Sequence, residues 1–232
     1  MQNPPFKINK TTIKTPNGVC AFLSQAPFNM AFQGDLKENI LKNRSAVIAP
    51  LSLENLAYLN QIHGNIILNA RQGGLIGDGD GILITQKGVI GMVMVADCNP
   101  ILLFDSQHKI LLLLHAGRKG LQKGILLNAL NLLQNDFHTN LQNLFIYIGP
   151  SIRSCCYEVQ NDIFTNSSLD CGKIMRKGKI YLDLIAVIKA QLASYHCKNY
   201  SISPICTCCS EEYFSYRRDC NCGRFALFAS LV

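Results

Sequence analysis

The spacing of hydrophobic and polar positions changes several times along the chain, and each change predicts an element. Residues 91–96 and 110–114 are unbroken apolar runs rich in Val, Met and Leu. They are too short for helices and read as strands buried on both faces. The first extends back to 89, and 66–68, 82–85, 144–148, 200–205 and Phe225–Leu231 read as further strands. Helical spacing appears at Leu36, Ile40, Leu41 and Val47, behind a candidate cap at Asp35 with Glu38 three residues on, and Pro50 ends it. A second helix fits 52–59 behind Ser52. Within 121–133, Leu121, Ile125, Ala129 and Leu132 form a stripe flanked by Leu126, Leu130 and Leu133, the mark of a helix packed on a sheet. Residues 182–195 repeat that pattern, and 157–164 suit a short helix.

Between these elements, punctuation dominates. Pro4, Pro5, Pro16 and Gly18 leave room for a short strand at most in 1–20, and 20–34 read as strand then loop. Five glycines make 72–81 a flexible loop. It lacks the G-x-G-x-x-G spacing between strand and helix, which excludes a dinucleotide fingerprint. Asp78 and Asp80 within it read as turn aspartates or ligand contacts. Strands and helices mix without strict alternation, and no linker or internal repeat interrupts them. The expectation is one α/β (α+β) domain over 1–232 with a mixed sheet.

Composition narrows the setting. Of 232 residues 48% are hydrophobic and 16% charged, so a well-filled core is expected. No apolar run approaches the roughly 18–20 residues of a bilayer span, so no membrane association is expected. The opening MQNPPFKINK lacks the apolar region of a secretion signal, so a cytoplasmic protein with eleven reduced cysteines is expected. The net charge of +7 fits a solvated basic surface or attraction for small anions. Nucleic acid is disfavoured, because no basic run is interleaved with aromatics.

Candidate chemistry gathers at three turns: His63-Gly64, Cys98-Asn99-Pro100 and His115-Ala116-Gly117. Three donors of this kind leave one position open on tetrahedral zinc, the arrangement of a catalytic rather than a structural site. Such an ion can acidify water or polarise a leaving group. Spacing alone favours a buried thiol and two ordinary histidines. The turn after His115 carries Arg118 and Lys119 into a helix start, which suits an anion such as phosphate. Asp97 reads as a partner orienting a ligand or as a strand-end turn residue. Cys206-Thr207-Cys208-Cys209 and Cys220-Asn221-Cys222 are C-x-C-C and C-x-C rather than the paired C-x2-C of zinc ribbons. They read as reduced or occasionally oxidised thiols ahead of a structural metal site, and Cys155, Cys171 and Cys197 carry no assignment.

Six segments occur in a telling order: Gln61-Ile62-His63-Gly64, Ala96-Asp97-Cys98-x-Pro100, His115-Ala116-Gly117-x-x-Gly120, Ile148-Gly149-Pro150-Ser151-Ile152, Cys156-Tyr157-Glu158-Val159 and Phe214-Ser215-Tyr216-Arg217-Arg218-Asp219. Together they resemble the YfiH/laccase-domain family, described both as multicopper polyphenol oxidases and as purine nucleoside phosphorylases. The match runs from Asn43-Arg44 to the C-terminus. The resemblance implies mixed β-sheets packed between helical layers, with zinc, rather than copper, held by His63, Cys98 and His115 as the catalytic centre. It implies phosphorolysis of adenosine, inosine and methylthioadenosine, and deamination of adenosine. Arg44, Arg118, Arg217 and Arg218 are then candidate contacts to nucleoside and phosphate. Glu158 is a candidate acid/base group, although a plain surface glutamate fits as well. A monomer or homodimer is expected.

Other readings are an editing hydrolase for peptidoglycan precursors, a copper-dependent phenol oxidase, and a metal-stabilised binding module. Only two of five histidines fall in the matched motifs, too few for several copper centres. The chain departs from the family in two places. Arg118-Lys119 stands where Trp-Arg usually follows His-Ala-Gly, and an N-terminal Arg-x-Gly-Gly segment is absent from 24–34.

Overall fold

The computed structural model describes residues 9–164 and 168–232; the Pro4-Pro5 reading lies outside them. Two six-stranded mixed sheets form its centre. The first runs in the order Lys10–Thr12, Val19–Ser24, Phe225–Leu231, Ile90–Val95, Leu56–Asn60 and Gly74–Asp78. The second runs Tyr200–Ile202, Phe145–Ile148, Asn99–Asp105, Ile110–Ala116, Gly81–Ile84 and Ile67–Asn69. A smaller sheet joins Glu158–Val159, Lys179–Leu182 and Lys173–Arg176.

The unbroken apolar runs follow from burial on both strand faces. Successive side chains alternate across a strand. Val93 and Val95 therefore meet Leu111 and Leu113 in the core between the sheets, while Ile90 and Met92 face outward. On the other sheet Ile110, Leu112 and Leu114 face outward, against helices Ile125–Asn135 and Leu184–Ser194. Helix Lys37–Ile48 covers the outer face of the first sheet through Val47 and Ile48. The layers run helix, sheet, sheet, helices, as the family resemblance implies. Each fully buried Leu of the 125–135 helix contributes about 1.5–3 kcal/mol of burial. Gly91 sets the sheet spacing, because a Cβ there would stand 2.4 Å from Leu113 Cδ1.

Several expectations change. Asp35 does not cap its helix, which opens behind Leu36 with no side-chain cap bond, and the helix expected over 182–195 runs Leu184–Ser194 behind a capping Asp183. Ser52 does cap, accepting from Glu54 N at 3.2 Å, but it opens only the 3-10 turn Leu53–Asn55. The following Leu56–Asn60 is a strand, because it pairs in parallel with Ile90–Val95 and sends Leu56 and Ala57 into different cores. Tertiary pairing outweighs local helical spacing there. Residues 157–164 form the strand Glu158–Val159 and a 3-10 turn, Asn161–Phe164, rather than a helix. The 121–133 helix is broken at Gly124, whose φ of +83° suits glycine, into Arg118–Gln122 and Ile125–Asn135. Part of the 72–81 loop is the edge strand Gly74–Asp78. Strand Asn99–Asp105, hidden behind turn-type residues at both ends, is central and pairs along its whole length with Ile110–Ala116. No helix among the described residues is long and apolar enough to cross a membrane.

Candidate metal centre and its cavity

The second sheet brings Cys98 and His115 to one rim. The pairing Asn99↔Ala116 and Pro100↔His115 fixes their register, and Asn99 Nδ2 donates to Ala116 O at 3.0 Å. His63 arrives from the turn after Leu56–Asn60, with φ +55°. Its turn is pinned by Gln61, whose side chain both donates to Met94 O and accepts from Met94 N.

Asp80 does most of the positioning. It is fully buried, and its Oδ1 accepts from His115 Nδ1 at 2.7 Å and from His63 N at 3.0 Å. Its Oδ2 accepts from Gly64 N at 2.6 Å and Ile62 N at 3.3 Å. Burial alone would raise the Asp80 carboxyl, but the bonds from His115, Gly64 and His63 hold it below the usual carboxylate range. With Nδ1 engaged, His115 keeps Nε2 for a ligand role, the usual pairing of a ligating imidazole with a carboxylate.

His63, Cys98 and His115 place their donor atoms within 4.8 Å of one another. The His63 and His115 rings meet edge to face at 4.7 Å. Burial would raise the Cys98 thiol, but His115 and His63 outweigh it and bring it down to about 6. Burial would lower His115, but the Cys98 sulfur and Asp80 bring it up to about 9. Each group favours the charged form of the other, and His115 gives up its Nε2 proton when it ligates a metal. One thiolate and two imidazoles, one of them held by a carboxylate, make the donor set of a catalytic zinc site, and the residues fit that ion. Gly117 keeps the set compact: a Cβ there would lie 2.6 Å from Cys98 Sγ.

The three donors line a cavity of about 860 Å³, within the usual range for small-molecule sites. Arg118, Lys119, Arg217 and Arg224 bring positive charge to its wall, and Phe32, Tyr58 and Tyr157 bring aromatic surface. The five-residue helix Arg118–Gln122 has little dipole, so side chains supply most of the field.

The other sequence candidates divide. Arg217 lies over the Tyr157 ring at 5.1 Å, and its Nη1 donates to Glu158 O at 2.8 Å. Burial raises the Tyr157 phenol, with Arg118 acting against it. Arg44 lines the cavity but is fully buried. Its Nε and Nη2 both donate to Met30 O, and its plane stacks on Phe32 and Tyr58 at 4.3 and 4.6 Å. It holds the two rings. Glu158 pairs with Lys179 Nζ at 2.9 Å, in a shallow recess beside the cavity. Arg218 spends its guanidinium on Asp219 and the carbonyls of Thr207, Ser210 and Tyr213. Asp97 orients no ligand: it accepts from Thr207 Oγ1 at 2.6 Å and Arg217 N at 2.7 Å, tying the C-terminal segment beside Cys98. Sequence reasoning missed the anchoring role of Asp80, whose glycine flanks mimic a turn, and the contributions of Phe32, Tyr58 and Arg224.

A family model described as multi-copper polyphenol oxidoreductase laccase matches residues 14–232. The chain belongs to this family. Among its relatives, a purine nucleoside phosphorylase of Borreliella burgdorferi is 34% identical over 203 residues, covering 84% of this chain and 85% of the relative. One of Clostridium acetobutylicum is 33% identical over 174 residues, covering 72% and 73%. A solved Neisseria meningitidis protein aligns with a TM-score of 0.86 at 28% identity, over 96% of this laccase-domain chain and 99% of its own. The Bacillus licheniformis YfiH structure shares the fold, with a TM-score of 0.84 at 23% identity over 92% and 93%.

Proposed function

We propose that this chain is a zinc-dependent purine nucleoside phosphorylase acting on inosine, adenosine and methylthioadenosine, and that the same centre deaminates adenosine. One observation carries the reading: the His63, Cys98 and His115 donors open onto the cavity whose wall bears Arg118, Lys119 and Arg217. A zinc donor set and an anion-attracting wall share one space of nucleoside size. The relatives named purine nucleoside phosphorylase support it at the level of reaction class.

Zinc, when bound by His63, Cys98 and His115, supplies a Lewis acid and a means of acidifying water at neutral pH. The chain supplies the rest. Arg118, Lys119 and Arg217 hold phosphate through charge-assisted bonds. A phosphate oxygen then forms a bond to C1′ of the ribose as the C1′–N9 bond breaks, and its electron pair leaves with the purine. Phe32 and Tyr58, held by Arg44, and Tyr157 offer flat surfaces for the base. Asp80 keeps both histidines in register throughout. The chain works free in the cytoplasm as a monomer or homodimer in this reading.

Two alternatives carry less. Copper-dependent phenol oxidation would suit the family description, but laccase chemistry needs several histidine-rich copper centres. Among the described residues the other group of potential metal donors consists of four cysteines. Editing of peptidoglycan precursors would need a cavity open to a much larger substrate. Incubating metal-quantified protein with inosine or adenosine, with and without phosphate, separates them. Phosphate-dependent release of free base supports the proposal, and no turnover at full zinc loading overturns it.

A further inference from the structure

Away from the cavity, two turns that are far apart in sequence bring four sulfurs together. Cys155 and Cys156 lie in the turn after Arg153; Cys206 and Cys209 lie in the turn after Tyr200–Ile202. Their Sγ atoms all fall within 4.8 Å of one another. Cys155 and Cys156 are 3.6 Å apart, Cys155 and Cys209 3.8 Å, and Cys156 and Cys209 3.3 Å. All four are free thiols. A tetrahedral zinc with sulfur ligands at about 2.3 Å has sulfur–sulfur edges of about 3.8 Å. The three edges among Cys155, Cys156 and Cys209 are close to such a face. A disulfide would need one pair to close to about 2.05 Å and would strand the other two sulfurs.

The two turns are also built to hold a bound cation in place. Cys206 and Cys209 form a C-x2-C turn, closed by Cys209 N and Ser210 N donating to Cys206 O at 3.1 Å each. In sequence, Cys208 hid this spacing. Arg153 N donates to Cys206 Sγ at 3.4 Å, an amide-to-sulfur bond of the kind that orients metal-bound thiolates. Arg176 Nη2 donates to Cys155 O at 3.0 Å, bringing positive charge to a group that would carry a net negative one. The Ser151↔Cys206 bridge and the bond from Thr207 N to Ser151 O align the two turns.

We propose that Cys155, Cys156, Cys206 and Cys209 bind a second zinc ion as a closed, structural four-sulfur site. It fastens the turn leading into Tyr157 to the turn carrying Thr207. Thr207 in turn holds Asp97 beside Cys98. The second ion thus braces one wall of the cavity without touching substrate. This inference stands independently of the proposed reaction.

The test loads the reduced full chain with Zn²⁺ alone and maps thiol alkylation residue by residue by mass spectrometry. The four cysteines should react together at least about tenfold more slowly than exposed Cys20 and Cys171, and a chelator should release them. Cys98→Ala, which removes a donor of the first centre, should retain one zinc per chain. Adding Cys155→Ser and Cys209→Ser, both at exposed positions, should remove it. Alkylation of the four at the rate of Cys20, a Cys156–Cys209 disulfide in their place, or iron instead of zinc in the purified chain would overturn the proposal.

Discussion

Asp80 and His115 are joined twice: the carboxylate accepts from His115 Nδ1 at 2.7 Å, and the Asp80 carbonyl accepts from His115 N at 2.7 Å. The same carboxylate gathers three successive amides of the His63 turn. One buried anion therefore positions two donors contributed by different sheets. Asp80→Asn keeps the shape but replaces one acceptor oxygen by a donor group facing amides. It should weaken zinc binding about 10–100-fold and destabilise the fold by about 1.5–3 kcal/mol. Competition titration with a zinc chelator and urea unfolding check both. Wild-type zinc affinity in the variant would contradict the assigned role.

Cys98 tests whether the centre is catalytic or structural. It stands at a strand rim, with two hydrophobic cores and two helical layers independent of it. Cys98→Ala should abolish turnover, by at least about 100-fold, while the melting temperature stays within a few degrees of wild type. Unfolding of the variant would instead favour a metal-stabilised binding module.

Gly117→Ala probes the same sulfur without removing it. The backbone there, φ −80°, accepts any residue, so the effect is steric. The new methyl would press on Cys98 Sγ at 2.6 Å. Zinc affinity should drop about tenfold or more with little change in unfolding free energy. Unchanged affinity would mean that Cys98 has room to move and that the donor set is looser than it looks.

Much of this was legible in sequence. Positions 91–96 and 110–114 announced themselves as strands because both faces are buried, and the helix Leu184–Ser194 within 182–195 because one face is. The donors His63, Cys98 and His115 came from motif order. What stayed hidden depends on distant partners. Leu56–Asn60 looked helical until paired with Ile90–Val95, and strand Asn99–Asp105 went unassigned because its start, Asn99-Pro100, read as a turn. Asp80 looked like one more loop aspartate. Cys155 and Cys156 gained meaning only when the fold set them against Cys206 and Cys209.

Glu158 offers a discriminating variant. Its carboxylate is turned to Lys179 outside the main cavity. Glu158→Gln should lower kcat by less than about tenfold, against the roughly 10²–10⁴-fold expected for a general acid or base. A larger loss, appearing in kcat rather than KM, would mean that the Lys179 pair opens during turnover.

Acid stability should report on Asp105, remote from the metal centre. Its carboxylate is buried and accepts from Thr139 Oγ1 at 2.6 Å, His108 Nδ1 at 2.7 Å and Gln107 N at 2.8 Å. Burial would raise it, but these partners hold it below the usual range. Its stabilisation is therefore present above the unfolded value of about 3.9 and is lost as pH falls through the lower folded value. Asp105→Asn should cost about 1–3 kcal/mol at neutral pH and lose less stability than wild type on acidification below about pH 5. Parallel acid unfolding curves for the two proteins would contradict this.

The central claim is that the His63–Cys98–His115 centre drives phosphorolysis. Its most direct test strips the chain with a chelator, returns Zn²⁺ in steps, and follows ribose 1-phosphate formed from inosine in phosphate buffer. Product should rise with zinc occupancy of this centre, vanish without phosphate, and stay absent in Cys98→Ala at any zinc level. Full-rate product from the stripped chain, or phenol oxidation restored by copper while zinc restores nothing, would contradict the account.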